Sequence, residues 1–115
     1  MHWVLAHLIG DYLIQTDWMA LNKKKSSFVC FVHVITYLIP FLFCGFTWWQ
    51  LLLIGTEHFI QDRTNIVLWF MKVKGSKLFA TGPMAPWSIV VTDNILHILW
   101  IAFVAWIPKA INIYM

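Results

Sequence analysis

Residues 87–107 read WSIVVTDNILHILWIAFVAWI, a run that is long enough to cross a bilayer. A transmembrane helix needs about 20 mostly apolar residues. This run nevertheless contains an acid, Asp93, and a histidine, His97. An ionisable group inside lipid is costly and usually marks a functional site. The segment therefore predicts both a membrane-spanning helix and a polar site within that helix.

The composition of the whole chain agrees with a lipid environment. Of its 115 residues, 61% are hydrophobic and only 11% are charged, whereas a soluble domain normally carries about a quarter charged residues. A soluble fold of this size has too much surface for so few polar groups. Disorder is excluded as well, because disordered chains are poor in apolar residues.

Three further segments have the length and hydrophobicity of transmembrane helices. We therefore predict an all-α integral membrane protein, a bundle of four transmembrane helices that forms a single domain over residues 1–115. Pro40 lies inside the second predicted span and is expected to bend it. The predicted spans cover about residues 3–21, 28–46, 48–71 and 87–107.

The positive residues indicate how these spans are oriented. Lys23, Lys24 and Lys25 follow the first predicted span, and Lys72 and Lys74 follow the third. Lys and Arg collect in cytoplasmic loops, so we expect both loops on the cytoplasmic side and both termini outside. Membrane lipid is the expected partner. Nucleic acid is not, because no basic stripe alternates with exposed polar groups.

Histidine and aspartate recur at one spacing in these spans. Three spans each carry a His and an Asp four residues apart, which places both on one helix face, and the second span adds His33. At about 1.5 Å of rise per residue, these side chains reach overlapping depths. We therefore expect them to converge in one cavity. The pairs are His7 with Asp11, His58 with Asp62, and Asp93 with His97.

Imidazole and carboxylate groups are the ligands of zinc, manganese and iron, and helix bundles build metal sites from such pairs on facing helices. The pattern predicts one or two divalent transition-metal ions, with zinc favoured and manganese or iron as alternatives. A proton relay or a purely structural hydrogen-bond network are the competing interpretations. The predicted metal ligands are His7, Asp11, His33, His58, Asp62, Asp93 and His97.

Other polar residues are candidates for supporting roles. Asp62 or Glu57 is expected to act as a catalytic base. Gln15 lies one turn beyond Asp11 and is expected to line the site. Lys24 and Arg63 are candidates for binding an anionic substrate, with a topology signal and a snorkelling side chain as the respective alternatives.

The stretch HLIGDYLIQTDWMALNKKK, residues 7–25, resembles the opening of a small membrane family of bacteria and phages. That family is catalogued as domain of unknown function 3307. The later stretches FVHVITY, EHFIQDR and DNILH are similar to its remaining blocks, although Asn94 stands where Gln is expected. The resemblance implies a location in the bacterial inner membrane. It gives little information about biochemical activity. The matching residues of the first block are His7, Asp11, Gln15, Met19, Ala20 and Lys23 or Lys24.

A looser similarity to membrane-bound metal-dependent hydrolases implies hydrolysis. We expect a metal-dependent hydrolase that acts on a lipid-borne or phosphorylated substrate. One alternative is a transition-metal transport or binding protein, which calls for more spans or for a homo-oligomer. Another is a non-enzymatic membrane effector, such as a phage protein, with a structural His/Asp network. An open coordination position reached by a cleft favours hydrolysis, a fully ligated site favours structure, and exits on both faces favour transport.

Overall fold

The computed structural model describes residues 1–75, 79, 81 and 85–114, with backbone alone for residues 109–114. The regular structure in these residues is helical, which confirms the all-α prediction. The described residues contain six α-helices, and residues 9–13 form a π-helical turn and residues 40–43 a 3-10 turn. The helices are α1 (Trp3–Leu8), α2 (Asp17–Asn22), α3 (Ser27–Leu38), α4 (Trp48–Arg63), α5 (Ile66–Val73) and α6 (Trp87–Tyr114).

Among the described residues, one helical segment, Trp87–Pro108 in α6, is long and apolar enough to cross a membrane. The structure therefore does not show the predicted bundle of four spans. The first predicted span is interrupted where the Thr16 hydroxyl accepts a hydrogen bond from the Met19 N–H at 3.3 Å and caps α2. The third is interrupted at Thr64, whose backbone is extended.

Pro40 ends the helix of the second predicted span instead of bending it. Helix α3 stops at Leu38, and Pro40 takes the first position of the 3-10 turn. Proline has no N–H to donate to the preceding turn, and its ring clashes with a continuing helix. The chain then reverses at Gly45, where a φ of 78° favours glycine.

The main apolar core is formed by residues of α1, α3, α4 and α6. It lies beside the cluster of histidine and aspartate side chains. Next to this core, Gly10 in the π-helical turn packs directly on α3. A Cβ atom on Gly10 would lie 2.5 Å from the Tyr37 ring and 2.9 Å from the Tyr37 carbonyl oxygen. The glycine thus permits the close approach that brings Asp11, the next residue, against α3. The core residues are Ala6, Tyr37, Phe41, Ile54, Ile101 and Val104.

Candidate metal centre

Four buried side chains from three elements meet beside this core. Asp11 comes from the π-helical turn and His33 from the middle of α3. His58 and Asp62 lie on successive turns of α4, as their spacing predicts. The two histidines are fully buried, and the two aspartates are 7% and 2% exposed.

The atoms of this group that face one another are nearly equidistant. His33 Nε2 lies 3.0 Å from His58 Nε2, 3.2 Å from Asp11 Oδ1 and 3.1 Å from Asp62 Oδ2. His58 Nε2 lies 3.3 Å and 3.1 Å from the same two oxygens. A single N–H is directional and cannot point at three atoms at once. Tetrahedral coordination with metal–ligand bonds of 2.0–2.1 Å separates the ligand atoms by about 3.4 Å. The spacing is therefore close to that of a tetrahedral coordination shell.

The hydrogen bonding of the group agrees with this interpretation. Asp11 Oδ1 is buried and makes no hydrogen bond to any described group. Leaving a buried polar atom unpaired costs about 1–3 kcal/mol, and a cation between the four atoms would remove that cost. Asp11, His33, His58 and Asp62 can therefore hold a metal ion.

Aromatic stacking fixes the His58 ring. The Tyr37 ring stacks on one side of it at a centroid distance of 3.7 Å, and the His97 ring stacks at 4.1 Å. The spacing of four residues between His33 and Tyr37 places both on one face of α3. The same rule that found the histidine pairs would therefore also have found Tyr37, which the sequence interpretation missed.

Lys23 also enters the site. Its Nζ lies 2.8 Å from Asp62 Oδ2 and 2.9 Å from Gln15 Oε1. Burial lowers the pKa of the Lys23 ammonium, but the carboxylates of Asp62, Asp11 and Asp93 together raise it by more, so the pKa lies above its usual range. The ammonium therefore stays charged at neutral pH. The sequence analysis interpreted Lys23 chiefly as a topology signal. Its match to the lysine of the family's first block was the one indication of a role in the site.

His97, Asp93 and Glu57 extend the cluster toward α6. His97 Nε2 lies 3.2 Å from Asp62 Oδ1 and 3.6 Å from Asp93 Oδ2. On the other side of the ring, Nδ1 lies 3.2 Å from Glu57 Oε2. Glu57, predicted as a base, thus contacts an imidazole, and its catalytic role stays a prediction.

His7 is placed beside the converging atoms. Its Nδ1 is 2.7 Å from the Tyr37 hydroxyl and its Nε2 is 2.8 Å from Asn94 Oδ1. The Tyr37 O–H can donate to Nδ1 while the Nε2–H donates to the amide oxygen, which satisfies both nitrogens of a neutral ring. Asp11 Oδ2 is 3.8 Å away. In this structure His7 forms hydrogen bonds to two neighbours, and its role as a metal ligand stays a prediction.

Gln15 forms hydrogen bonds to two residues of the site. Its side-chain amide donates to the Asp11 carbonyl at 3.0 Å while its oxygen accepts from Lys23. Lys24 and Arg63, the candidate substrate residues, instead join the loop after α2 to the end of α4. Lys24 Nζ donates to the Thr64 carbonyl at 2.9 Å, and Arg63 Nη1 donates to the Lys24 carbonyl at 2.6 Å.

A family model described as "Protein of unknown function (DUF3307)" matches residues 1–114. The chain belongs to this family. No curated protein and no solved structure matches it. The looser similarity to membrane-bound metal-dependent hydrolases thus finds no support in these comparisons.

Two cavities border the polar cluster of this DUF3307 protein. The smaller, of about 210 Å³, lies at the end of α4 and is bordered by Asp62, Asp93, Lys23 and Lys24. The larger, of about 790 Å³, is an apolar groove between α4, α5 and α6, and Glu57 contributes a carboxylate to its wall. The cluster thus lies between a small cavity that has four charged residues in a largely apolar wall and a larger apolar groove.

Proposed function

We propose that this protein is a membrane-embedded, metal-dependent hydrolase that acts on a lipid-borne or phosphorylated substrate. The observation that carries the proposal is the group of four buried ligand atoms from Asp11, His33, His58 and Asp62. Zinc is the favoured ion, because two imidazole nitrogens and two carboxylate oxygens at tetrahedral spacing are a typical zinc set. Bound metal would supply a Lewis acid and lower the pKa of water.

The residues around the smaller cavity suit an anionic substrate. The Lys23 ammonium has three N–H donors, and Asp62 and Gln15 account for two of them. The third is available to a phosphate oxygen in the cavity that Lys23 and Lys24 border. In the hydrolysis of a phosphate ester, the oxygen of water bonds to phosphorus and the bond to the ester oxygen breaks. One water proton moves to that ester oxygen.

The surface of the protein supports a position in the membrane. Large apolar side chains are exposed on several helices and turns, and α6 has the length of a span. We propose that the four predicted segments are embedded in the bacterial inner membrane, with the Lys23–Lys25 loop at the cytoplasmic face. The smaller cavity then opens toward the headgroups. Side chains that are more than 60% exposed include Leu13, Leu21, Phe28, Phe43 and Trp48.

The experiment that tests this function measures metal content and hydrolysis on one preparation. Protein purified in detergent without chelators is expected to contain zinc and to release inorganic phosphate from phosphatidic acid in mixed micelles. His58→Ala should reduce both by at least about tenfold, within the 10- to 100-fold range of disturbed metal sites. His2→Ala is the matched control, because His2 caps α1 at the surface. Phosphate release that is equal in wild type and His58→Ala would refute the proposal.

A non-enzymatic effector with a structural metal site is the second candidate. It is favoured by the same four protein ligands, because structural zinc sites are closed whereas catalytic sites keep a position open. Metal in the wild type, with no phosphate release from phosphatidic acid or from p-nitrophenyl phosphate, would support this candidate.

A further inference from the structure

We infer that the centre holds two metal ions, the second bound by His97 and Asp93 and linked to the first through the carboxylates of Asp11 and Asp62. The inference rests on the proposed metal binding and adds a second site to it. Atoms of Asp11, Asp93 and His97 lie within 4.8 Å of one another, so this group can also hold an ion.

The Asp62 carboxylate has the geometry of a bridge. Its Oδ2 faces His33 Nε2 and His58 Nε2, both at 3.1 Å, whereas its Oδ1 lies 3.2 Å from His97 Nε2. The two oxygens of one carboxylate thus face two different sets of imidazole nitrogens. Asp11 belongs to both groups that can hold an ion, which makes it the second candidate for a bridge.

The His97 ring is oriented as a metal ligand. Its Nδ1 lies 3.2 Å from Glu57 Oε2, so the Nδ1–H donates to that carboxylate. Donation from Nδ1 leaves the Nε2 lone pair free and directs it away from Glu57. Metal-bound histidines typically hold their second nitrogen in this way, and the carboxylate makes the imidazole more basic. Glu57 is therefore a positioning residue in this account.

Asp93 is held with one oxygen left for the second ion. The Gln61 side-chain amide donates to Asp93 Oδ1 at 2.9 Å and to the Asp93 carbonyl at 2.8 Å. The other oxygen, Oδ2, faces His97 Nε2 at 3.6 Å. Imidazole nitrogen and carboxylate oxygen are both metal ligands, so a cation between these two atoms would be bound by both.

The charges of the described residues in the cluster also favour two ions. Asp11, Glu57, Asp62 and Asp93 carry four negative charges, and Lys23 carries one positive charge. One divalent ion leaves a net negative charge, which repels a phosphate. A second divalent ion makes the centre positive by one charge, which attracts an anionic substrate.

The second site is also the more accessible one. The Asp93 side chain is 25% exposed, whereas that of Asp62 is 2% exposed. Asp93 also borders the cavity of about 210 Å³. Asp62 borders the same cavity, but the greater exposure of Asp93 would place an ion held by His97 and Asp93 nearer to solvent than one held by His33 and His58. That ion would be the one positioned to receive a substrate.

The test counts metal ions in the purified, zinc-loaded full-length protein after removal of free metal. Wild type should bind two zinc ions per chain. Asp93→Asn and His97→Gln, which largely conserve side-chain volume, should each bind one. Asp17→Asn is the matched control and should bind two, because Asp17 is an exposed residue at the start of α2.

The counts separate this inference from the proposed function. One ion per chain in wild type overturns the second site and leaves the first standing, whereas no ion overturns both. Two ions in Asp93→Asn and in His97→Gln overturn the assignment of these ligands.

A second measurement does not depend on how the variants fold. Electron paramagnetic resonance of the manganese-loaded wild type should show an exchange-coupled pair, because bridged ions lie about 3.5–4 Å apart. A spectrum of isolated manganese alone, at full loading, contradicts the bridge.

Discussion

Asp62 has the most contacts in the cluster at the scale of single residues. Its two oxygens contact His33, His58, His97 and the ammonium of Lys23. Because a carboxylate in lipid is costly unless it is paired, each contact offsets part of the free-energy cost of burying Asp62. Its removal should therefore affect both metal binding and the stability of the fold.

We predict that Asp62→Ala loses metal, because it removes one ligand and the bridge at once. Zinc occupancy should fall to less than about a tenth of wild type, consistent with the 10- to 100-fold effects of disturbed metal sites. Elemental analysis of purified protein measures this, with His2→Ala as the control. Unchanged occupancy in both Asp62→Ala and His58→Ala would remove α4 from the metal site.

We predict that Lys23→Met destabilises the metal-free protein more than the metal-loaded protein. Without metal, Lys23 is the cation that pairs with the buried Asp62 carboxylate, and breaking such a pair costs about 3 kcal/mol. With metal bound, the ion compensates the carboxylate. Thermal unfolding with and without zinc measures the difference. An equal loss of stability in both forms would show that Lys23 and the metal do not stabilise the same carboxylate.

The sequence was informative about this cluster because its ligands follow a local rule. A spacing of four residues fixes a common helix face, so the pairs around His58 and Asp93 could be found without a structure. The role of Lys23 could not, since its contact with Asp62 spans 39 residues and depends on how two elements pack. His7 followed the same spacing rule, but hydrogen bonds to Tyr37 and Asn94 occupy its ring.

At the scale of elements, the spans predicted from hydropathy were less informative than the spacing. Averaging over about 20 residues conceals local interruptions such as the Thr16 cap and the extended backbone at Thr64. Pro40 was predicted to bend the second span, whereas in the structure it ends the helix. These interruptions serve the site, because the π-helical turn before Thr16 presents Asp11 to α3 and α4.

We predict that Gly10→Ala weakens metal binding from a distance. The new Cβ would lie 2.5 Å from the Tyr37 ring and 2.9 Å from a backbone oxygen, so the π-helical turn has to move away from α3. Overpacking of this kind costs about 1–3 kcal/mol, and Asp11 moves with the turn. Zinc affinity, measured by competition with a chelator, should fall at least about tenfold.

Gly45→Asn is the control for this substitution. Gly45 has a positive φ, but a Cβ atom added there would meet no atom of the described residues within 4 Å, and Asn tolerates such a backbone. Wild-type zinc affinity in Gly10→Ala would show that the close approach of the turn to α3 does not position Asp11.

At the scale of the whole molecule, the proposed position in the membrane puts the polar cluster near one face of the bilayer. Lys24 and Arg63 join the loop after α2 to the end of α4, and Lys24 borders the smaller cavity. A headgroup at that face would meet the cavity, and the apolar groove along α4 and α6 would lie among the acyl chains.

We predict that Lys24→Cys and Lys74→Cys are both labelled from the cytoplasmic side. The two native cysteines, Cys30 and Cys44, are first replaced by serine so that only the introduced thiol reacts. A membrane-impermeant maleimide, applied to inverted and to right-side-out vesicles, distinguishes the two faces. Labelling of the two positions from opposite faces would contradict the four-span topology.

X-ray absorption at the metal edge would detect a transition metal bound by the four converging side chains. Wild-type protein purified without chelators should show a zinc edge, nitrogen and oxygen neighbours at about 2.0–2.1 Å, and the outer-shell scattering of imidazole rings. The absence of a transition-metal edge above the buffer would contradict the account.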